Sequence, residues 1–127
     1  GLEGIAARLT AENRTEKQFE TLKALFTPFE NRLGQEHSAA YQVADQQFHR
    51  LSIEYSGNKI LPRIEFLGNI HIICYNRGLI RPPRETYQEH MNIINAIEKK
   101  EGELAELHVK DHLRKSRKRL MKQQVSY

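Results

Sequence analysis

A carboxylate and an imidazole lie four positions apart in the stretch DQQFHR, as Asp45 and His49. Residues at this spacing are neighbours on one helix face, so the two side chains can form an ordinary polar contact or bind one cation together. The pattern D-x-x-x-H is common by itself, and an inward histidine more often hydrogen-bonds to a hydroxyl or a carbonyl than binds a metal. The rest of the sequence has to separate these two interpretations.

Two more histidines lie on apolar helix faces. His90 is in phase with three isoleucines that follow it, and His112 shares a face with Ala105 and Val109, so both imidazoles point inward. Together with the D-x-x-x-H pair they supply one carboxylate and three neutral imidazoles to a common core. This donor set suits Zn, Ni, Fe or Mn, because buried polar groups need partners and one cation satisfies all of them.

The remaining histidines are weaker candidates. His71 lies midway along an apolar segment, and His108 lies one helical turn before His112. Both are alternative ligands or extra pocket groups, with His71 ranked above His108. His37 lies at a helix start and is predicted to be exposed.

Composition indicates one soluble domain. A chain of 127 residues is long enough for one core but too short for two. Its residues are 39% hydrophobic and 28% charged, with 7 glycines and 4 prolines, which is typical of a soluble folded protein. The single cysteine, Cys74, cannot form an internal disulfide, and no signal peptide or membrane-length apolar run is evident. These features favour the reducing cytoplasm, with no membrane contact.

The fold class is predicted to be all-α, an antiparallel bundle of about six helices in one domain over residues 1–127. Turn and breaker residues divide the chain into helix-length blocks, and no β-type alternation persists. The predicted helices cover residues 2–13, 16–33, 38–55 and 60–76, then a segment containing His90 to Ile97, and finally residues 103–123.

Capping and breaking residues set the predicted helix ends. Thr15 and Ser38 are predicted N-caps. Pro28 is a candidate kink, and Gly34 is predicted to end the second helix. The sequence Ser-Gly-Asn at 56–58 is a predicted turn.

Three segments resemble the FCD domain, the ligand-binding domain of the FadR subfamily of GntR-type bacterial transcription regulators. LEGIAARLTAENRT resembles its first helix, and ADQQFHRLSIEYSGNKIL resembles its D-x-x-x-H helix with the turn that follows. EHMNIINAIEKKEGELAELHVKDHL resembles its closing segment. The separations of 41 residues from His49 to His90 (90 − 49) and 22 from His90 to His112 (112 − 90) are close to those of the family.

The resemblance implies a divalent metal held by Asp45, His49, His90 and His112, beneath a pocket for a small organic acid, and no catalysis. Zinc or nickel is favoured, with manganese or iron as alternatives. Family members carry an N-terminal winged helix-turn-helix, dimerise, and change their affinity for operator DNA when a metabolite binds. We expect this chain to be the sensor domain without that DNA-binding domain, so DNA is a partner only of the parent protein. The fatty-acyl-CoA-responsive branch lacks the metal set, so a small carboxylate is favoured here.

Pocket residues are assigned from charge and position. Asn69 and His71, together with an arginine such as Arg8 or Arg77, could hold the far end of an acid, because guanidinium binds carboxylate through two hydrogen bonds. The alternative for each arginine is a solvent-facing side chain at a helix end.

Two other function classes compete. Three histidines and an acid around a metal can also activate water, so a metal-dependent hydrolase of small acids is the main alternative. The absence of a His-Asp dipeptide and of Glu-x-x-His excludes the HD-type phosphohydrolase and di-iron patterns. Direct nucleic-acid binding by a basic run near the C-terminus is the second, although a solvated helix face is favoured. The run contains Lys110, Arg114, Lys115, Arg117, Lys118, Arg119 and Lys122.

Overall fold

The structure is a computed structural model that describes residues 2–63 and 80–125. Within these ranges the chain forms helices joined by short connections and contains no strand, which confirms the all-α prediction. Only the start of the predicted helix over 60–76 is described, and residues 61–63 are helical. The α-helices are α1 (Leu2–Asn13), α2 (Glu16–Phe26), α3 (Ser38–Tyr55), α4 (Pro83–Glu98) and α5 (Gly102–Val125).

Helix α1 approaches α5 closely because its buried face is built from small residues. Gly4, Ala7 and Ala11 are buried on this face. A Cβ atom added to Gly4 would lie 3.2 Å from Cγ of Glu106 and 3.3 Å from Cγ of Lys110, so the two helices pack with little space between them. Helix α1 also contacts α3 and α4, and it therefore lies against all three helices that carry the predicted metal ligands.

The centre of the core is aromatic. Helix α2 contributes Phe26, which is fully buried between Tyr41 and Phe48 of α3, at ring-centroid distances of 5.6 and 5.4 Å. Complete burial of a side chain of this size stabilises the fold by about 1.5–3 kcal/mol. This cluster forms the wall against which the inward face of α4 packs.

The second helix is shorter than predicted. Its start is confirmed: Thr15 caps α2, and its hydroxyl accepts from the backbone N–H of Gln18 while the Gln18 side chain accepts from the backbone N–H of Thr15. The predicted end at residue 33 is wrong, because α2 ends at Phe26 and a short 3-10 helix, Thr27–Phe29, follows. Proline has no N–H to donate, so the α-helical ladder cannot continue through Pro28.

The predicted cap of the third helix is also wrong. A second 3-10 helix, Gln35–His37, runs directly into α3, and Ser38 is the first residue of α3 rather than its cap. The backbone N–H of Ser38 already donates to the carbonyl of Gln35. The incoming turn therefore satisfies a donor that a capping side chain would otherwise serve. Gly34 lies before this turn with φ −72°, so it does not end a helix in the left-handed conformation.

The C-terminus of α4 is capped by a backbone motif and by one side chain. The N–H of Lys100 donates to the carbonyl of Ile97 and that of Glu101 donates to Ala96, which is a Schellman motif with Lys100 in the left-handed conformation at φ 56°. The buried side chain of Arg14 adds hydrogen bonds to the carbonyls of Ile97 and Glu98, at 3.2 and 2.6 Å. These contacts fix the short joint between α4 and α5.

The turn at residues 56–58 is confirmed. Gly57 takes φ 76°, which suits glycine, and the side chain of Asn58 accepts from the backbone N–H groups of Ile60 and Leu61. Among residues 2–63 and 80–125, no helix combines the length and apolar character that crossing a bilayer requires.

Candidate metal centre

The structure brings all four predicted metal ligands together. Asp45 and His49 come from α3, His90 from α4 and His112 from α5, and one donor atom from each can be chosen so that all lie within 4.8 Å of one another. Every one of the four side chains is more than nine-tenths buried. Such a cluster of buried polar groups needs a partner to offset the loss of hydration.

The inner atoms of the cluster are spaced like ligands of one ion. Oδ1 of Asp45 lies 3.2 Å from Nε2 of His49 and 3.0 Å from Nε2 of His90. Within the part of the chain that the structure describes, no hydrogen bond of acceptable geometry reaches Asp45 Oδ1 or His90 Nε2. Because metal bonds to nitrogen and oxygen are about 2.0–2.2 Å long, ligands of one ion lie roughly 3–4 Å apart. The residues therefore fit a divalent metal.

Two of the three histidines have a carboxylate on their outer nitrogen. Nδ1 of His49 lies 3.0 Å from Glu3 of α1, and Nδ1 of His112 lies 2.7 Å from Glu89 of α4. Histidine ligands of metals almost always have such an outer partner, which fixes the tautomer and aims the other nitrogen at the ion. These contacts direct Nε2 of both imidazoles toward the centre of the cluster.

The third histidine uses hydroxyl groups instead. Nδ1 of His90 lies 2.7 Å from the hydroxyl of Tyr41, which lies 2.8 Å from the hydroxyl of Thr86. When Nδ1 carries the proton, it donates to Tyr41, and the Tyr41 hydroxyl can donate onward to Thr86. This arrangement leaves Nε2 as the lone-pair donor that a metal requires.

Packing holds the His90 ring in place. The imidazole stacks on Phe26 with centroids 4.4 Å apart and planes 12° apart, and Phe48 meets it edge-on at 5.5 Å. Because Phe26 covers one face of the imidazole and Phe48 meets it edge-on, the ring cannot rotate away from Asp45 without displacing these aromatic side chains. Phe26 and Phe48 of the aromatic core therefore also orient a predicted metal ligand.

The electrostatics of the cluster are uneven. Burial opposes ionisation of Asp45, but the charge of His49 and the contacts of both imidazoles hold the pKa of this carboxyl well below its usual range. Burial, together with the nearby His112 and His49, lowers the pKa of His90 to about 4 although Asp45 raises it. Burial also disfavours the charged form of His49, yet Glu3 and Asp45 raise its pKa well above the usual value. Without metal, the cluster at neutral pH thus contains a protonated His49 beside a neutral His90.

The outer partner of His112 has a partner of its own. Both oxygens of Glu89 accept from the guanidinium of Arg81, at 2.8 and 2.5 Å. Burial raises the pKa of Glu89, but hydrogen bonds from His112 and Arg81 outweigh this and lower it to about 2. Glu89 is therefore a carboxylate at any pH at which the histidines are neutral.

A small cavity adjoins the cluster. It is lined by Glu3, His49, Ser52 and His112 together with apolar residues, and it offers about 10 Å³ for the centre of a water molecule. That volume has room for about one water. A larger open groove of about 560 Å³ lies between the 3-10 helix Gln35–His37, the start of α3 and the start of α4. None of the predicted site residues within the described ranges lines it.

The other predicted site residues are separate from the cluster or undescribed. Arg8 is half-exposed and pairs with Glu106 at 3.4 Å. Its role in binding an effector stays a prediction, and Asn69, His71 and Arg77 lie outside the described residues. His37 and His108 are partly buried and are not members of the cluster.

The basic run near the C-terminus is largely paired along its own helix or with α4. Arg114 and Lys115 both contact Asp111, and Arg119 contacts Glu85. These contacts agree with the predicted solvated helix face.

Sequence reasoning missed the outer partners of the histidines, namely Glu3, Tyr41, Arg81, Thr86 and Glu89. Glu3 and Glu89 lie in segments that resemble the family, and Glu89 directly precedes His90. Neither residue was predicted to contact a histidine. Arg81 directly precedes two prolines and had no predicted role in the site. Its role depends on how α4 and α5 face each other, which helical periodicity within one segment does not reveal.

Comparison with known proteins identifies the family of this chain. The FCD domain family matches residues 1–115, and the chain therefore belongs to this family of ligand-sensing domains of transcription regulators. A curated relative is the HTH-type transcriptional repressor NanR of Cronobacter sakazakii (strain ATCC BAA-894), which is 31% identical over 117 residues. The match covers 87% of this chain and 44% of that protein, so the chain spans less than half the length of this relative.

Proposed function

We propose that this chain is the sensor domain of a transcription regulator and that it binds a divalent metal through Asp45, His49, His90 and His112. The observation that carries the proposal is the convergence of four buried donor groups within 4.8 Å, with an outer partner on each histidine. One carboxylate and three imidazoles suit zinc or nickel, and also manganese or iron. The bound ion would supply a positive charge that attracts the carboxylate of an organic acid.

The effector is proposed to be a small carboxylate, such as a di- or tricarboxylate, a hydroxy acid or a sugar acid. Four protein ligands leave room for a further ligand on metals that accept five or six, and water or a carboxylate oxygen can occupy it. Membership in a family of ligand-sensing domains supports an effector of this kind. Arg8, Asn69, His71 and Arg77 remain the candidate side chains for its far end.

Control of DNA binding is proposed for the parent protein. The curated relative is named as an HTH-type repressor, and this chain matches less than half of it. We propose that effector binding alters operator affinity through a winged helix-turn-helix outside this chain. A homodimer through apolar helix faces is part of the same proposal, supported by the partly exposed Leu2 and Ile5 on α1. Light scattering that shows a strict monomer at high protein concentration would count against the dimer.

The test of the effector proposal is a thermal-shift screen of small acids with metal-loaded and metal-stripped protein. A ligand that binds only the folded state adds about 2.7 kcal/mol at 100 times its dissociation constant, which is readily measured. We expect binding to the loaded form and little binding to the stripped form or to an Asp45→Ala variant. Equal binding to loaded and stripped protein would refute the metal as anchor, and conversion of any acid to product would place the protein among the hydrolases.

A further inference from the structure

Arg81 is a buried arginine whose hydrogen bonds converge on one metal ligand. Its side chain is about 5% exposed, although it stands only two residues before the start of α4. Its guanidinium donates to both oxygens of Glu89, to the backbone carbonyl of His112 at 3.1 Å, and to the hydroxyl of Ser116 at 3.0 and 3.2 Å. Burying an arginine is costly unless its donors are satisfied, so this position calls for an explanation beyond helix formation.

Glu89 links the arginine to the metal cluster. Its Oε1 atom accepts from both Nη2 of Arg81 at 2.5 Å and Nδ1 of His112 at 2.7 Å. A glutamate side chain has several rotatable bonds, and a hydrogen bond to one imidazole nitrogen alone would not fix them. The two-pronged contact with Arg81 holds the carboxylate in one plane and one position.

The same guanidinium also fixes the backbone of the ligand. By donating to the carbonyl of His112 and to Ser116 one turn later, Arg81 ties α5 to the segment that leads into α4. The imidazole of His112 is thereby held at two points, through its own backbone and through Glu89. Both points depend on one arginine.

We propose that Arg81 is a positioning residue for the metal centre, holding Glu89 and through it the imidazole of His112 in the metal-binding orientation. This inference rests on the proposed metal-binding function. Arg81 contacts the outer side of a ligand rather than the ion. Loss of such outer partners typically weakens metal binding by 10–100-fold, and we expect a loss in this range for Arg81→Met. The Arg81→Lys variant should regain only part of the lost metal affinity, because an ammonium group cannot make the planar two-pronged contact.

The chain offers a matched control. Arg119 of α5 pairs with Glu85 of α4 through the same kind of two-pronged contact, at 2.7 and 3.4 Å, one helical turn from Glu89, but both side chains are more than one-third exposed. Arg119→Met removes a comparable arginine–glutamate pair, in this case between α5 and α4, without touching a proposed ligand. It should leave metal affinity within about twofold of the unchanged protein, because exposed ion pairs contribute little.

The experiment measures Ni²⁺ dissociation constants by chelator competition for the unchanged protein, Arg81→Met, Arg81→Lys, Arg119→Met, Glu89→Gln and the Arg81→Met/Glu89→Gln double variant. Denaturant unfolding of each metal-free protein separates affinity from stability. If Arg81 acts through Glu89, its removal should weaken binding 10–100-fold alone but much less in the Glu89→Gln background. If Arg81→Met does not fold, Arg81→Lys takes its place in the same cycle.

Each outcome is decisive. Equal Ni²⁺ affinity in the unchanged and Arg81 variants, or the same loss in both Glu89 backgrounds, would overturn the positioning role while leaving the metal site intact. A loss of similar size in Arg119→Met would also overturn it, because the effect would then reflect helix packing in general. Failure of the unchanged protein to bind Ni²⁺ would instead overturn the proposed metal site itself.

Discussion

A buried arginine stands near each end of α4, and the two have different kinds of partner. Arg14 donates to the last backbone carbonyls of α4, whereas Arg81 donates to a glutamate side chain that contacts a proposed metal ligand. The partners of Arg14 are carbonyls that any helix end leaves unsatisfied, and a cation there also interacts favourably with the helix dipole. The contacts of Arg14 are therefore explained by helix stability, whereas those of Arg81 lead to the candidate metal site.

Burial alone does not reveal the role of an arginine in this protein. Both arginines are at least nine-tenths buried, so burial does not distinguish a structural role from a role in binding. The distinguishing feature is the carboxylate that each arginine contacts. Arg14 pairs with solvent-exposed Glu16, whereas Arg81 pairs with Glu89, which also contacts His112 of the candidate metal site. If this division holds, substitutions at one end of α4 should change stability and those at the other should change metal affinity.

The largest effect is expected from loss of a metal ligand. His90→Ala removes an imidazole that the core holds in place, and metal affinity should fall by more than the roughly 100-fold that loss of an outer partner causes. His37→Ala is the control, since this histidine is outside the cluster, and it should bind metal like the unchanged protein. Chelator competition measures both, and similar affinities for the two variants would contradict the ligand assignment.

The next largest effect is on stability at the other end of α4. Arg14→Met removes two charge-assisted hydrogen bonds to the carbonyls of Ile97 and Glu98, and we expect unfolding to require roughly 2–4 kcal/mol less. The loss should be the same for metal-loaded and metal-stripped protein, as measured by denaturant unfolding. A drop in metal affinity as large as that expected for Arg81→Met would abolish the distinction between the two arginines.

The sequence predicted the four proposed ligands but not the residues that contact them from outside. Helical phase placed His90 and His112 on inward faces correctly, because each phase depends only on neighbours within one helix. The contacts of Glu3, Glu89 and Arg81 depend on how separate helices are rotated and shifted against each other, which no single periodicity contains. Their discovery required the packed structure.

The errors in helix ends have a similar origin. The apolar spacing of Phe26, Phe29 and Leu33 continues through a 3-10 turn, and the latter two side chains pack against the core although they lie outside α2. The apolar spacing therefore predicted correctly which side chains pack against the core, but it predicted the wrong backbone conformation for them. Pro28 was the local signal for the break.

Acidity should weaken metal binding. Metal coordination requires a neutral imidazole, and the pKa of His49 is raised by Glu3 and Asp45, so binding at neutral pH must release its proton. For one released proton, affinity should fall up to about tenfold for each unit that the pH decreases. Calorimetry in buffers with different ionisation enthalpies measures the release directly, and a binding enthalpy independent of buffer would contradict this protonation state.

The smallest expected effect is a gain in stability at the joint between α4 and α5. Lys100 takes a left-handed conformation that costs a residue with a Cβ atom about 1 kcal/mol, and glycine avoids that cost. Lys100→Gly should therefore raise the free energy of unfolding by up to this amount while leaving metal affinity unchanged. Unfolding midpoints show the gain, and destabilisation would indicate that the lysine side chain makes a contribution of its own.

Metal content shows whether the four buried donor groups hold an ion. Protein purified without a metal-affinity tag and then exchanged against Zn²⁺ or Ni²⁺ should retain about one ion per chain in elemental analysis. Chelation should lower its melting temperature, and returning the metal should restore it, because the buried polar groups lose the compensation for desolvation that the ion supplies. Substoichiometric metal with a melting temperature that ignores both chelator and added ion would contradict the account.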